Sequence, residues 1–403
     1  MQRRLSSTLS SPLFASSLER VATLVQSSLH SLHNLRKSNV AWTSALSALE
    51  SIAKSPRKSL FRPQLVFLGC LSSLEQNKMD WQGFPQKSFI EYFAAGVELQ
   101  HLYMIVHDDV MDHGTIRRGL PTVQIVLSKT GFVRSSQVGR EIADHLAILV
   151  GDCTNAISLK LMLQGITGLG RPDALNVILE SALHAGAAQF DDVVGWEGVE
   201  RRLQSGEYLN DIQSLHAIDI SAEHGFSAPL IAGLRLGPKI WSTEREQKQY
   251  EEELRRFGTL LGISFYDLAD VTDIVCDSSE TGKDSLQDLR EGRLSQPLFS
   301  LRKYANVEEW EDVSQILRGF NTQGNFFGPM TLFDRRRILS LMSKYRILGR
   351  TIEASEAKLS EAESLVKKWE ETTPQFAAGC QKFIDGLRLE GKTLMQKADS
   401  RFE

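Results

Sequence analysis

The sequence lacks both paired cysteines and a strong excess of charge. Its four cysteines lie far apart and form no CxxC pair; they are Cys70, Cys153, Cys276 and Cys380. This spacing argues against a cysteine-ligated metal and is typical of reduced, buried thiols in an intracellular protein. The net charge is only −4. It argues against nucleic acid as a partner, because binding to a phosphate backbone usually requires a strongly basic surface.

Strand signals, proline and long apolar runs are also scarce. No alternating Val/Ile/Thr segments bounded by hairpin turns occur, which argues against a β fold. No run of about 18 apolar residues occurs, so no membrane-spanning helix is expected. Eleven prolines in 403 residues, together with long stretches of period near 3.6, predict helices throughout. The absence of internal repeats and low-complexity linkers favours one all-α domain over two.

The first 18 residues differ in composition from the rest of the chain. They contain two arginines, six serines and one threonine, and no acidic residue. This composition resembles an organelle transit peptide, and a frayed polar terminus is an equal alternative. We therefore expect a targeting or disordered segment over 1–18 and one helical domain over 19–403. The expected location is soluble and intracellular, either cytoplasmic or, if the segment is a transit peptide, mitochondrial or plastid.

One helix is predicted at the centre of the fold. The segment 88–112 is apolar on nearly every side and has no glycine after Gly96. A helix that is apolar all round is typical of the middle of a large bundle. Further helical stretches are predicted near 20–52, 62–76, 137–166, 172–188, 207–220, 250–275, 310–319, 334–346 and 354–398.

The strongest chemical signal lies at the end of this central helix, where residues 107–122 read HDDVMDHGTIRRGLPT. Asp108 and Asp112 are four residues apart and therefore share one helix face. Asp109 lies roughly 100° around the helix from Asp108. Like charges at this spacing repel each other, so a cation is expected, and oxygen-only ligands suit Mg²⁺. The two guanidinium groups of Arg117 and Arg118 match the geometry of a phosphate.

A second acidic segment, FYDLADVTD, lies at residues 265–273. Asp270 and Asp273 are three residues apart and share a helix face. Lys283 follows Gly282 in a predicted loop after this helix. If this segment faces the first one, the two sets of carboxylates could hold several metal ions around one diphosphate.

These motifs resemble those of the trans-isoprenyl diphosphate synthases, the polyprenyl synthetase family. The family signature is DDxxD followed by RRG, which here is the run from Asp108 to Gly119. Further matches are ELQH at 98–101, GD at 151–152, and GK with DLREG within 282–292. The resemblance implies an all-α, single-domain bundle around a deep central cavity, usually dimeric. It also implies Mg²⁺-dependent condensation of isopentenyl diphosphate with an allylic diphosphate.

The resemblance also implies a role for each site residue. Asp108 and Asp112 would bind two magnesium ions that bridge the allylic diphosphate, which Arg117 and Lys283 would contact. Other metal candidates are Asp109, Asp270 and Asp273. The positions that would hold isopentenyl diphosphate are Arg62, His101 and Arg118.

Tyr103 is the candidate determinant of product length. It lies five residues before Asp108, a little over one turn deeper along the same helix. In similar enzymes an aromatic residue here accompanies short products, so we expect a C15 product, or C20 if the ring is displaced. A tyrosine that only packs in the core is the alternative.

The chain departs from the family pattern at the second motif, FQxxDDxxD, where Tyr266 and Ala269 replace the glutamine and the first aspartate. The family Lys-Thr pair is predicted to correspond to Ile220–Ser221, and its GQxxD element to residues 206–210. The pair Asp191–Asp192 is interpreted as a surface or helix-end pair.

Three functions remain open. The first is a prenyltransferase with a third metal site rebuilt from Asp270 and Asp273. The second is a terpene synthase-like enzyme that ionises and cyclises a prenyl diphosphate. The third is a non-catalytic subunit of a heteromeric synthase. The expected assembly is a homodimer or a heterodimer with a related subunit.

Overall fold

The computed structural model describes residues 12–57, 59–130, 137–238, 243–284, 286–319 and 331–402. Within these ranges the chain is almost entirely helical, and the β structure is one short antiparallel ribbon that pairs β1 (Ile116–Arg117) with β2 (Leu120–Pro121). The helices are α1 (Ala15–Leu32), α2 (Val40–Lys54), α3 (Phe61–Gln76), α4 (Lys87–Met111), α5 (Val123–Ser128), α6 (Gln137–Leu169), α7 (Pro172–Val194), α8 (Trp196–Gln204), α9 (Leu209–His216), α10 (Ala228–Leu236), α11 (Glu244–Val275), α12 (Ser278–Thr281), α13 (Gln287–Glu291), α14 (Gln296–Tyr304), α15 (Val307–Gly319), α16 (Leu332–Lys344), α17 (Ile347–Trp369) and α18 (Pro374–Phe402). The all-α prediction is confirmed.

Helix α4 is the central helix, as its composition predicts. Its buried side chains face several directions, and even Glu98 is only 3% exposed. Glycines allow close contact with α6: a Cβ on Gly96 would lie 2.7 Å from the carbonyl oxygen of Ser158, and one on Gly165 would lie 2.7 Å from that of Phe89. The two longest apolar helices therefore pack almost backbone to backbone.

The N-terminal part of the described chain packs onto this bundle. Residues Pro12–Phe14 form a 3₁₀ turn that leads into α1. The Phe14 ring is buried, with its centroid 5.5 Å from that of Phe67 and 5.1 Å from that of Trp81. The boundary expected after residue 18 therefore falls inside a packed helix. Residues 1–11 lie outside the described residues, and the transit-peptide interpretation stays a prediction.

The stretch predicted as helical near 20–52 contains two helices. Helix α1 ends at Leu32 and is followed by a 3₁₀ turn, His33–Leu35. Helix α2 begins after Asn39, whose side-chain Oδ1 accepts a hydrogen bond from the backbone N–H of Trp42 at 3.0 Å. Asparagine is among the preferred N-cap residues because it satisfies a free N–H of the first turn.

An irregular helical segment connects α9 to α10. Ala217–Ser227 has π-helical hydrogen bonding and packs against α7 and α11. Such wide turns are uncommon and often occur at functional sites. The predicted Ile220–Ser221 counterpart of the family Lys-Thr pair lies in this segment, but its side chains are outside the described part of the structure.

One helix in the described ranges is long and apolar enough to cross a membrane, by length and composition alone. It covers Gly139–Leu169, with a mean hydropathy of 1.5, and 39% of its most apolar 18-residue window is buried. A core helix of a large bundle meets the same criteria, so this is weak evidence of a membrane span. The expectation that no helix spans a membrane stays a prediction.

Helices α3 and α10 cross at two glycines, and this crossing provides a test of the packing. A Cβ on Gly69 would clash with the backbone carbonyl of Leu230, and one on Gly233 would clash with that of Val66. We expect Gly69→Ala to lower the free energy of unfolding by about 1–3 kcal/mol because the helices must separate. Urea denaturation measures the change.

A matched control is Gly186→Ala in α7. A Cβ there would meet no atom within 4 Å. We expect it to raise stability by up to about 1 kcal/mol, because alanine is the better helix former. Equal effects of the two substitutions would contradict the packing.

Candidate active site

A large cavity of about 920 Å³ lies among the helices. Helices α3, α4, α7, α9 and α11 all contribute to its wall, represented by Phe61, Met104, Ala182, Gln213 and Ile263. Each residue that the sequence analysis singled out for chemistry lines this cavity, apart from Asp109. Carboxylates predicted from two distant segments, 108–112 and 270–273, are thereby brought to one site.

The chain turns sharply after α4, and the turn is fixed by hydrogen bonds. Gln124 Nε2 donates to the carbonyl oxygens of Asp109 and Gly114, at 2.7 and 2.9 Å. Thr122 Oγ1 also donates to Gly114 O, at 2.8 Å. The backbone of Arg118 is left-handed, with φ +54°. These contacts return the Arg117–Arg118 pair to the end of α4.

Arg117 is held between two neighbouring carboxylates. Its Nε donates to Asp109 Oδ1 at 2.7 Å, and its Nη2 donates to Asp108 Oδ2 at 2.9 Å. Burial raises the pKa of Asp109 to about 6, and the charge of Arg117 opposes this rise. Asp109 is 2% exposed. It therefore anchors Arg117 beside the cavity, while Asp108 remains partly open to it.

Asp112 is paired with a residue that the sequence analysis did not single out, Arg293. This guanidinium forms ion pairs with Asp112, with Asp192 at 3.3 Å and with Glu291 at 3.2 Å. It also donates to the carbonyl oxygen of Met111 at 3.0 Å. Burial and the neighbouring charge of Asp108 raise the pKa of Asp112, and Arg293 opposes that rise.

The position of Asp192 in the structure corrects the interpretation of the Asp191–Asp192 pair and that of the GQxxD element. It lines the cavity and pairs with Arg293, so only Asp191 is an exposed helix-end residue. Residues 206–210 do not line the cavity, and Tyr208 is 76% exposed. The Gln-x-x-Asp spacing expected there occurs instead at Gln189 and Asp192, which both line the cavity. Both interpretations were wrong because the sequence does not show that one face at the end of α7, which carries Gln189 and Asp192, turns towards the cavity.

The second acidic segment lies on α11. Asp270 Oδ2 accepts a hydrogen bond from the backbone N–H of Gln296 at 2.7 Å. The pKa of both Asp270 and Asp273 is raised, mainly by burial. Oδ2 of Asp273 is buried and has no hydrogen-bond partner in the described part of the chain. By contrast, the carboxylate of Asp267 is already paired with Lys358, at 3.1 Å.

The loops that follow the two acidic segments are tied together. The backbone N–H of Gly119 donates to the carbonyl oxygen of Gly282 at 3.0 Å. A Cβ on Gly282 would lie 2.7 Å from the nitrogen of Gly119, and the φ of Gly282, +71°, also favours glycine. Thr115 Oγ1 donates to Asp284 Oδ1 at 2.9 Å. Lys283, between these contacts, is exposed and lines the cavity.

A second group of cations lies at the buried side of the cavity. Arg62 and Arg118 are 5% and 6% exposed, and burial lowers the pKa of each. Glu98 Oε1 lies 3.7 Å from Arg118 Nη2, and Tyr266 and Glu98 oppose the lowering of the pKa of Arg62. The pKa of His101 is lowered well below its usual value, first by burial and then by the two arginines. The structure thus brings Arg62, His101 and Arg118 together.

Arg118 is also held from the adjacent helix α2. Ser55 Oγ donates to the carbonyl oxygen of Arg118 at 3.0 Å, and Arg118 Nη1 donates to that of Ile52 at 3.4 Å. Hydrogen bonds at the backbone carbonyl and at the guanidinium group therefore hold Arg118 in its left-handed conformation.

Tyr103 lines the cavity one turn below the carboxylates. Its ring centroid is 5.0 Å from that of His107, in an edge-to-face arrangement. His107 Nε2 lies 3.1 Å from the carbonyl oxygen of Ile148 and 3.5 Å from Asp152 Oδ1. The tyrosine ring is therefore backed by a histidine that is itself fixed to α6.

His224, in the π-helical segment, is a further cavity residue that the sequence analysis missed. Its Nδ1 lies 3.1 Å from Ser181 Oγ of α7. Burial, followed by the charge of Arg62, lowers the pKa of His224 to about 3. No local sequence pattern marks this residue, because its partners lie on other helices.

The structure is an all-α bundle in which both acidic motifs line one cavity. The polyprenyl synthetase family model matches residues 46–325, which is more than half of the chain. The chain therefore belongs to the polyprenyl synthetase family, and the resemblance recognised from the sequence is confirmed.

The chain has only moderate sequence identity to individual curated relatives. The chain is 31% identical over 211 residues to geranylgeranyl diphosphate synthase of Sulfolobus acidocaldarius, covering 52% of this chain and 55% of the relative. It is 27% identical over 208 residues to farnesyl diphosphate synthase of Haemophilus influenzae, covering 51% and 61%. The matched part of the chain thus spans between half and two thirds of the length of these curated relatives.

Solved structures extend the likeness to nearly the whole chain. Polyprenyl synthase of Caulobacter crescentus, complexed with calcium and isoprenyl diphosphate, superposes with a TM-score of 0.69 at 19% identity, covering 95% of this chain and 97% of that one. Farnesyl diphosphate synthase of T. brucei, complexed with a bisphosphonate, gives a TM-score of 0.68 at 14% identity, covering 92% and 97%. At 19% and 14% sequence identity, this structural likeness establishes the fold of the chain and nothing further.

His224 provides a pH-dependent test of the site. Its folded-state pKa of about 3 is below the usual value of 6.5, so the unfolded chain binds more protons between these two pH values. The stabilisation present above pH 6.5 is therefore lost as the pH falls, at about 1.4 kcal/mol per pH unit. Between pH 6.5 and 5.0, the wild type should lose about 2 kcal/mol more unfolding free energy than His224→Gln.

Urea denaturation at several pH values measures this difference. The matched control is His184→Gln, because His184 is an exposed histidine on α7. It should follow the wild-type pH dependence. A His224→Gln variant with the same slope as the wild type would contradict the burial of a neutral His224.

Proposed function

We propose that this protein is a Mg²⁺-dependent prenyltransferase that condenses isopentenyl diphosphate with an allylic diphosphate to give a C15–C20 trans-prenyl diphosphate. The observation that carries the proposal is the combination within one cavity of two carboxylate segments, a group of buried cations and an apolar wall. Family membership and the printed names of the relatives, which include farnesyl and geranylgeranyl diphosphate synthases, support it.

The carboxylates that line the cavity fit a hard divalent cation. Asp108 and Asp112 on α4, and Asp270 and Asp273 on α11, offer oxygen atoms only, and Asp273 Oδ2 is buried without a hydrogen-bond partner in the described part of the chain. Carboxylates together with substrate phosphates are the usual ligands of Mg²⁺. Once bound, the metal would neutralise the charge that develops on the departing diphosphate.

Two cations of the chain would assist at the allylic diphosphate. Lys283 is exposed at the cavity and is placed by the glycine turn before it. Arg117 is already oriented by Asp108 and Asp109. Fixed charges of this kind stabilise a leaving group without reorganisation during the reaction. In this arrangement Asp109 acts through Arg117 and is a positioning residue, although it was predicted as a metal ligand.

The buried cations would hold the second diphosphate. Arg62, His101 and Arg118 share the buried side of the cavity, and Arg118 is fixed in position by α2. An incoming diphosphate would offset the cost of burying the two arginine charges, and the neutral imidazole of His101 could donate a hydrogen bond to it. Isopentenyl diphosphate bound there would present its double bond to the allylic carbon.

The apolar wall would protect the reaction. After the allylic C–O bond ionises, the double bond of isopentenyl diphosphate attacks the carbocation, and a proton is lost to the released diphosphate. Residues such as Met104, Ala182 and Ala185 line the same cavity. They would exclude the water that otherwise quenches a carbocation.

A non-catalytic subunit is the second candidate function, because the carboxylate nearest to a missing family aspartate is already engaged in an ion pair. Ala269 replaces a family aspartate, and Asp267, the nearest additional carboxylate before it, is already paired with Lys358 at 3.1 Å. A rebuilt third metal site would therefore depend on Asp270 and Asp273.

The candidate functions are separated by incubating the protein with Mg²⁺, labelled isopentenyl diphosphate and allylic diphosphates of three lengths. A labelled prenyl diphosphate indicates a synthase. A hydrocarbon or alcohol formed from the allylic substrate alone indicates a terpene synthase, and the absence of any product indicates a non-catalytic subunit.

An oligomer is part of the proposal, as either a homodimer or a heterodimer with a related subunit. The long helix α6 has exposed apolar side chains, including Ile142, Leu149 and Leu163, which are 44%, 56% and 49% exposed. A second copy or a related chain that covers them would bury this surface.

The metal assignment predicts the effect of Asp108→Asn. Loss of a charged ligand should lower kcat/KM at least about a hundredfold, because the departing diphosphate loses charge stabilisation. The matched control is Asp385→Asn, at an exposed carboxylate of α18 outside the cavity. It should retain wild-type activity. Wild-type activity in Asp108→Asn would contradict the assignment.

The role of Tyr103 predicts the effect of Tyr103→Ala. Removal of the ring should deepen the cavity and shift the product distribution to longer prenyl diphosphates, as measured by chromatography of the dephosphorylated products. Tyr103→Phe keeps the ring and should keep the wild-type length. An unchanged distribution in Tyr103→Ala would leave the tyrosine as a core residue only.

A further inference from the structure

A cluster of potential metal ligands lies away from the cavity, where α1 meets α2. It consists of His30 in the last turn of α1, His33 in the 3₁₀ turn that follows, and Glu50 on α2. One ligand atom from each residue lies within 4.8 Å of the other two. None of the three lines the cavity, so the cluster is separate from the proposed active site.

Two of the three distances between ligand atoms match the spacing of a tetrahedral zinc site, and the third, between the two imidazoles, is within 4.8 Å. His30 Nδ1 lies 3.4 Å from Glu50 Oε1, and His33 Nε2 lies 3.2 Å from the same oxygen. Zinc binds imidazole nitrogen and carboxylate oxygen at about 2.0–2.2 Å, so ligands at the tetrahedral angle lie about 3.3–3.5 Å apart. The cluster therefore needs little rearrangement to surround one ion.

The burial of the Glu50 carboxylate supports the same assignment. Oε1 of Glu50 is buried and has no hydrogen-bond partner in the described part of the chain, although two imidazole nitrogens lie at hydrogen-bond distance. The other oxygen, Oε2, is 3.8 Å from Lys54 Nζ. Buried polar atoms are normally satisfied, so Oε1 is in position for a partner that lies between it and the rings.

We propose that His30, His33 and Glu50 bind a divalent transition metal of the zinc type, with water as the fourth ligand. Two imidazoles and one carboxylate suit Zn²⁺, whereas Mg²⁺ prefers oxygen ligands alone. The side chain of His30 is 76% exposed, while those of His33 and Glu50 are 20% and 15% exposed. The ion would therefore reach the site from solvent past His30.

The bound metal would fasten α1 to α2 close to the cavity. Trp42 Nε1 already donates to the carbonyl oxygen of Leu32 at 3.0 Å across the same junction. Glu50 lies on the last turns of α2, which lead to the two residues that hold Arg118, Ile52 and Ser55. A metal at Glu50 would thus stabilise the end of the helix that supports a cation of the cavity.

The test measures binding of Zn²⁺ to the full-length, chelator-treated protein by isothermal titration calorimetry. Saturating Mg²⁺ is present throughout to occupy the carboxylates of the cavity. We expect one Zn²⁺ per chain in the wild type and none at this site in His33→Ala or Glu50→Gln. His184→Ala removes an exposed histidine elsewhere and should bind as the wild type does.

A spectrum distinguishes the site from simple histidine–glutamate ion pairs. Co²⁺ in a four-coordinate site absorbs visible light more strongly than six-coordinate Co²⁺, so the wild type should show this absorption and both variants should lose it. Circular dichroism checks that the variants are folded, and Glu50→Gln preserves the shape of the side chain. Absence of Zn²⁺ binding in the wild type, or equal binding in wild type and variants, would overturn the proposal. Prenyltransferase activity has no bearing on either result.

Discussion

Buried negative charge at the C-terminal end of α4 is the constraint on which the rest of the site depends. Asp108, Asp109 and Asp112 lie where the helix dipole is already negative, and burial makes the charges of Asp109 and Asp112 still less favourable. Two arginines from different parts of the chain offset this charge: Arg117 pairs with the first two carboxylates and Arg293 with the third. The sharp turn after α4 and the loop before α14 are shaped so that these two guanidinium groups reach the same helix end.

Local spacing was enough to predict part of this arrangement. The i, i+4 relation of Asp108 and Asp112 follows from helix geometry, and the uniformly apolar composition of 88–112 identified the central helix, which the structure places at Lys87–Met111. Local spacing did not predict that Arg62, His101 and Arg118 lie together at one side of the cavity. These residues are far apart in the sequence, and only the resemblance to a family suggested that they would meet.

One physical reason explains why the sequence analysis did not assign three residues to the cavity. Asp192, Arg293 and His224 each act through partners on other helices: Asp192 and Arg293 pair with each other, and His224 contacts Ser181 of α7. Helical periodicity identifies which residues share a face, but it does not show which face of α7 turns inward. The same limit explains why Asp191 and Asp192 were interpreted together as a surface or helix-end pair, although adjacent residues on a helix point in directions roughly 100° apart.

The hydrogen bond from Gly119 to Gly282 links the loops that carry Arg118 and Lys283. Neither loop can move freely without stretching or breaking this contact. A ligand that immobilises one loop therefore also removes conformational freedom from the other, and a second ligand then loses less entropy on binding. The side-chain contact of Thr115 with Asp284 reinforces this link, so a ligand held by one loop would also restrict the other.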